Sequence, residues 1–399
     1  MDLGITPLAN KLVNETIENS LFYPLQLVMC RNCGHVQLGV ILDTTFVFSD
    51  YPYRSNTGTT SMIRLEELSS DLVNLNIDKS KSGVLKVFEI GSNDGSLLNY
   101  FKKLGCDVLG IDPAFEAVEE ARSIGIETIH SFFSLEIIES YPNILDEWDL
   151  IIINNVLAHT NNVSEILEGI SILMSDKTKL VIEFSYLVDV LEKNLFDTIY
   201  HEHVSYFSLT SLVPILSRFG LKIFKVERFD AHGGSLRVFA AKKISGLDSD
   251  NSFIKLLKYE KDIDILSTSN WKTFERMIQD LRFKISDTLL SLKQNDSKLV
   301  GYGVPAKFST MFYGLGLSSD LFDYFVDDNQ NKVGKLVPGL NIQIQSVMTL
   351  FDTRPEYIFV FCWNYINDVK DFISKECVFV KSIIAPLPSF EIIEIDRSQ

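Results

Sequence analysis

The 399-residue chain has room for two or three domains with well-buried cores. A formal net charge of −16 argues against a nucleic-acid backbone or an anionic membrane surface as partner. No apolar run approaches the ~20 residues needed to cross a bilayer, the start lacks a signal-peptide pattern, and five thinly spread cysteines make no disulfide framework. A cytoplasmic protein is expected.

Residues 1–80 read as a polar, irregular opening. Within it, Cys30-Arg31-Asn32-Cys33-Gly34-His35 has the tight-turn spacing of half a zinc site. A structural zinc takes four ligands, and there is no second C-x-x-C; His35 is a candidate third ligand. Zinc on Cys30 and Cys33, and reduced metal-free thiols, therefore stand as alternatives. Tyr51-Pro52-Tyr53-Arg54-Ser55 adds two phenols and a guanidinium, groups that suit a phosphorylated sugar.

From residue 84 the pattern becomes strand-helix alternation. Val84–Ile90, Asp107–Ile111, Asp149–Ile153 and Lys179–Phe184 read as strands, with helices over Ser96–Leu104 and Val163–Met174. This predicts an α/β fold, a parallel sheet wrapped by helices. Residues 221–241 hold two runs suited to antiparallel pairing, and Asn251–Gln294 is helix-periodic. The alternation restarts at Lys298–Tyr302, with a helix from Ala306 and strands at Asp323–Val326 and Tyr357–Phe361. The expected units are 1–80, 81–245, 246–297 and 298–399.

The loop Glu89-Ile90-Gly91-Ser92-Asn93-Asp94-Gly95 joins a strand's carboxyl end to a helix. Gly91 allows a sharp turn there, and Gly95 is expected to let a ligand come close. Asp112 ends the next strand, where an acid can accept both hydroxyls of a ribose. Two glycines make no dinucleotide fingerprint, and Asn93 and Asp94 in the loop suit a cationic, phosphate-free adenosine ligand: S-adenosylmethionine. Pro113, Phe133, Asn154, Asn155 and His159 complete the expected donor pocket, Asn154 or His159 meeting either the methionine end or the acceptor.

The richest chemistry lies in Tyr200-His201-Glu202-His203. These residue types can remove a proton, hold a second polar group in register and stabilise an oxyanion. On a strand, the H-x-H alternation would put both imidazoles on one face and Glu202 on the other. Ala231-His232-Gly233-Gly234-Ser235-Leu236-Arg237 sets a glycine turn before an Arg-bearing strand, a candidate phosphate clamp. Gly301-Tyr302-Gly303-Val304-Pro305-Ala306-Lys307 is similar to a G-x-G-x-x-A turn, with Asp327 ending the next strand; it reads either as a second nucleotide site or as a cleft wall.

Together, from Asp2–Asn10 through the Cys pair, Gly91–Gly95, Tyr200–Phe207, His232–Arg237 and Gly301–Lys307 to Pro338-Gly339, these motifs resemble the sugar C-methyltransferase family that acts on nucleotide-linked keto-deoxysugars. The resemblance implies a class I, Rossmann-like methyltransferase domain between an amino-terminal zinc-binding module and a carboxy-terminal Rossmann-like domain. The zinc module it resembles has four cysteines. This chain begins near the point where the first C-x-x-C ends, so either a shortened module or a misassigned start codon is expected. The resemblance further implies His203 as the base, with Glu202 and Tyr200 as polar partners. It also makes Tyr51 or Tyr53 a wall of the sugar pocket; His201, His232, Gly233, Arg237 and Lys307 complete the expected substrate site. The implied reaction is C-methylation beside the ketone, with no nucleic-acid or membrane partner. The rival readings are a sugar or small-molecule O-methyltransferase, and a non-catalytic sugar-nucleotide binder.

Overall fold

The computed structural model describes residues 1–14, 21–43, 47, 54–55, 59–75, 83–231, 233–340 and 342–395. Its strands form three sheets. The first is antiparallel: β1 (Asp2–Pro7), β2 (Phe22–Met29), β3 (Val36–Leu38) and, from far along the chain, β9 (Ser205–Tyr206). Residues 1–80 were expected to be irregular; instead they supply three of these four strands. The alternation is hidden because β1 and β2 carry Pro7 and Pro24 and their pairing shifts register between Asp2 and Ile5.

The second sheet runs β10-β11-β8-β7-β4-β5-β6. Here β4 is Lys86–Ile90, β5 Asp107–Asp112, β6 Thr128–His130, β7 Leu150–Asn154, β8 Lys179–Ser185, β10 Leu221–Phe229 and β11 Ser235–Lys242. β4 to β8 are parallel, and β11 lies antiparallel between β8 and β10. That order and the single reversed strand are those of the class I methyltransferase fold. The runs Val87-Phe88 and Ile151-Ile152-Ile153 are fully buried because helices cover both faces.

On one face α1 (Thr59–Asn74) and α2 (Ser96–Lys103) bury Leu68, Leu72, Leu97 and Phe101 together. α3 (Phe115–Ser123) follows β5. Gly95 opens α2 at φ +73°, and a Cβ there would meet the Ala121 Cβ of α3 at 2.9 Å. Gly95 was expected to admit a ligand; its bareness serves helix packing. Phe133 is likewise a core residue, packed on Phe88 and against Gly169, rather than a wall of the donor pocket.

Two helices, α4 (Asn251–Asp262) and α5 (Thr268–Gln294), lead to the third sheet, ordered β14-β15-β13-β12-β16-β17-β18. Its parallel centre is β15 (Ile342–Ser346), β13 (Tyr324–Asp327), β12 (Leu299–Tyr302), β16 (Tyr357–Val360) and β17 (Ser382–Ala385), with β14 (Leu336–Val337) and β18 (Glu391–Glu394) as antiparallel edges. α6 (Phe308–Gly314) follows β12. One apolar core runs through all three sheets, joining Leu25, Phe184, Phe196, Phe207, Phe308 and Phe361. Among the described residues no helix is long and apolar enough to cross a membrane.

Gly95→Ala combines left-handed backbone with a clash at Ala121. It should destabilise the fold by about 1–3 kcal/mol in denaturant titration. Unchanged stability would mean that α2 and α3 adjust freely there.

Candidate active site

At the carboxyl edge of the second sheet, Gly91 turns at φ +74° and donates its N–H to Ile111 O at 2.8 Å. Asn93, also left-handed, donates its N–H to Asp112 Oδ2 at 2.9 Å, while Ala114 N–H donates to Oδ1 at 2.8 Å. Asp112 is thus held with one lone pair on each oxygen still available. Asp94 accepts the Ser96 N–H. Burial, with Asp94 and Asp112 adding repulsion, pushes the Glu89 carboxyl well above its usual range. Glu89 Oε2, Ser92 Oγ and Asn154 Oδ1 are buried with no partner among the described residues. Orphaned acceptors among carboxylates fit a cationic, hydroxyl-bearing ligand and repel a phosphate. These residues fit S-adenosylmethionine. Ser55 N–H donates to Asn93 Oδ1, and Arg54 pairs with Glu116 and Glu120 of α3, so the 54–55 segment lies over this loop. Asn155 follows β7 in left-handed backbone, its N–H on Glu183 O. The Pro113 carbonyl accepts from His130.

The acceptor half centres on His203. Residues 201–204 form a turn rather than a strand, so the expected same-face placement of the two histidines does not occur. His203 Nδ1 lies 2.9 Å from Thr198 O, and Nε2 lies 3.0 Å from the Tyr200 hydroxyl. A carbonyl only accepts, so Nδ1 carries a proton; in the neutral ring Nε2 is then the nitrogen with the lone pair. His159 packs edge-on to the His203 ring at 4.8 Å and donates from Nδ1 to Glu202 O at 2.7 Å. The sequence left His159 between donor and acceptor; its contacts set it beside the acceptor's histidine. Burial pushes its imidazole down to about 4, so it is neutral at pH 7.

Glu202 is 4% exposed and accepts from Asn10 Nδ2 at 3.1 Å; burial pushes its carboxyl up to about 7, against that bond. Asn10, in left-handed backbone just past β1, was not singled out as a site residue; only its membership in the Asp2–Asn10 motif could have flagged it. His201 turns to β2 instead, donating from Nε2 to Pro24 O and packing on Tyr23.

Arg237 was expected as a phosphate clamp. Its guanidinium is committed to Glu183 at 3.0 Å and Glu227 at 3.0 Å and stacks on Phe229, so the charge is already neutralised. Lys307 sits 3.8 Å from Asp197 and over the Trp363 ring. A Cβ on Gly233 would meet Leu195 at 2.6 Å and Trp363 at 3.4 Å. Tyr51, Tyr53 and His232 lie outside the described residues.

Cys30 and Cys33 flank a tight turn, Gly34 N–H on Cys30 O and Cys30 N–H on His35 O, and both thiols are free. Among the described residues no three His, Cys, Asp or Glu side chains gather as a metal site. His35 Nε2 is engaged with Ser205 Oγ at 3.1 Å, and its buried Nδ1 has no partner among the described residues. Cys30 and Cys33 supply two of the four ligands that a structural zinc takes.

Three family models match in order: a putative zinc binding domain at residues 1–48, a methyltransferase domain at 63–226 and a C-methyltransferase C-terminal domain at 230–388. The C-methyltransferase NovU of Streptomyces niveus is 30% identical over 406 residues, covering 100% of this chain and 94% of its own. Solved structures aligned with the chain include magnesium protoporphyrin IX methyltransferase from Synechocystis PCC 6803 (14% identity, 51% of this chain and 100% of that one, TM-score 0.39). Another is the plantazolicin methyltransferase BpumL (18% identity, 46% and 85%, TM-score 0.37). The chain belongs to the S-adenosylmethionine-dependent C-methyltransferase family.

Two outcomes follow for this site. Glu202 has its folded value raised above the ordinary ~4.5, so its contribution to stability is present below that pH and is lost as pH rises through about 7. Glu202→Gln should therefore be more stable than wild type at pH 8, by up to about 3 kcal/mol, with the gap closing towards pH 5. A gap independent of pH in chemical denaturation would show that the carboxyl titrates normally. Elemental analysis of the 399-residue chain should read well below one zinc per chain; a full equivalent would require ligands beyond these two thiols.

Proposed function

We propose that the protein methylates a carbon beside the ketone of a nucleotide-linked 4-keto-deoxysugar, with His203 as the base. The observation that carries this reading is the hydrogen bonding of His203: Nδ1 on Thr198 O and Nε2 on the Tyr200 hydroxyl, beside a second imidazole kept neutral by burial. A ketone acidifies the neighbouring C–H, which brings it within reach of a neutral imidazole if the enolate is stabilised. Tyr200 lies at hydrogen-bond distance from Nε2 at rest and is placed to donate a hydrogen bond, without giving up its proton, to the enolate oxygen once His203 turns to substrate. Glu202, held by Asn10, orients the sugar through hydrogen bonds. The bound donor supplies an electrophilic sulfonium methyl. Asp112 holds its ribose, and Glu89, Asp94 and Asn154 face its cationic end. Methyl transfer then makes a carbon–carbon bond as the methyl–sulfur bond breaks, the sulfur leaving as a neutral thioether, and the proton taken by His203 leaves to solvent. The division into 1–80, 81–245, 246–297 and 298–399 follows the same reading, with Lys307 and Gly233 on the acceptor side and Arg237 a structural ion-pair partner.

Removing the base should cost about 10²–10⁴ in rate, so His203→Ala should lose most turnover of a nucleotide ketosugar while its donor affinity survives. Wild type should also wash solvent deuterium into the carbon beside the ketone. Near-normal turnover and exchange in the variant would eliminate His203 and turn attention to His159; methylation of a hydroxyl alone would eliminate carbon as the acceptor. Asp112→Ala should weaken donor binding by about 1.5–3 kcal/mol in calorimetry, and unchanged affinity would remove Asp112 from the donor site.

A further inference from the structure

We infer that Thr310 and Trp363, both in the carboxy-terminal α/β unit, are positioning residues that clamp the Thr198 peptide from either side and so fix the tautomer of the His203 ring. The tautomer depends on one carbonyl, Thr198 O, which accepts from His203 Nδ1 at 2.9 Å and from the Tyr206 hydroxyl at 3.4 Å. That carbonyl directs a proton only if its peptide cannot rotate. Thr198 closes a single 3-10 turn, Phe196–Thr198, its N–H and hydroxyl both donating to Leu195 O; those bonds hold the start of the turn and leave the Thr198 carbonyl to be fixed from outside.

The support arrives at the residue before and the residue after. Asp197 is fully buried, and its Oδ2 accepts the Trp363 indole N–H at 2.6 Å. Ile199 O accepts the Thr310 hydroxyl at 2.6 Å, and Thr310 is also fully buried. Phe196 closes over Gly314 of the same α6, where a Cβ would sit 3.1 Å from its ring. Both donors stand beyond the carboxyl ends of β12 and β16, the neighbouring strands at which the order of this sheet reverses. Open α/β sheets take ligands at such a switch point. Here the loops at that point grip a turn of their own chain. The other feature of a nucleotide site there, Asp327, is filled internally: it accepts the N–H groups of Val304 and Asn329 and pairs with Lys332 at 3.1 Å. The Gly301–Lys307 turn thus builds a brace for the methyltransferase half.

What the clamp does for rate rests on the reading of His203 as base; what it does to the ring does not. Thr310→Val keeps shape and loses only the donor, Trp363→Phe loses only the indole N–H, and Thr310→Ser restores the hydroxyl. Thr353→Val removes a half-buried hydroxyl elsewhere in the same unit, one that donates to Thr349 O and meets the Tyr324 hydroxyl, and serves as control. The readout is the pair of ¹⁵N shifts of the His203 ring in the full chain, followed across pH, with kcat and KM measured alongside. Thr310→Val and Trp363→Phe should bring the two ring-nitrogen shifts towards each other, and Thr310→Ser and Thr353→Val should keep them apart. Turnover should fall about 3–10-fold in the first two, the size expected for one lost hydrogen bond, with KM little changed. Ring shifts and pH profiles identical to wild type in both variants, even at lower melting temperature, would overturn the inference. Altered shifts with unchanged turnover would uphold the clamp and count against His203 as base.

Discussion

Buried backbone carbonyls need partners, and around residues 196–204 no regular element supplies them. That segment leaves the second sheet after Ser185, makes one 3-10 turn, crosses to the first sheet as β9 and returns. Its polar groups are satisfied from elsewhere: Val204 O by Leu38 of β3, Ile199 O by Thr310, and Thr198 O by His203 itself. Ser205 N–H goes to Ala158 O, beside His159. The three sheets are therefore joined at the segment that carries the histidine, and the order of the site depends on all of them being in place.

The two halves of the cleft differ in how burial acts on their ionisable groups. At the Gly91 loop, Glu89, Asp94 and Asp112 crowd together, and the repulsion among them is relieved by a cation. Around His203, desolvation lowers His159 to about 4, which keeps that imidazole uncharged at pH 7, and raises Glu202 to about 7. A positive donor and a neutral base are what methyl transfer to an enolate requires; an imidazolium there could take no proton.

The amino-terminal sheet keeps a geometric role even though its thiols do not assemble a four-ligand metal site. β3 pairs with β9 through Val36 with Tyr206 and Gln37 with Ser205, and Asn10 reaches Glu202. The turn that presents the two sulfurs also carries His35 to Ser205, two residues after His203.

Sequence periodicity by itself determined most of the two parallel sheets, because strands buried on both faces must be short apolar runs separated by helices, and Phe88, Ile152 and Phe325 have no other reading. It also determined where the donor loop lies, since a strand end, Gly91 and Asp112 are local signals. The family resemblance pointed to His203 from a single motif. Tertiary structure decided the rest. Whether Arg237 is free for a phosphate depends on Glu183 and Glu227 across neighbouring strands; whether Gly95 admits a ligand depends on Ala121 in another helix. The tautomer of His203 depends on a carbonyl five residues earlier, held by side chains more than a hundred residues later. Local patterns record which face of an element is buried; they do not record which distant donor meets which acceptor, and in this site the protonation state is set by those distant pairs.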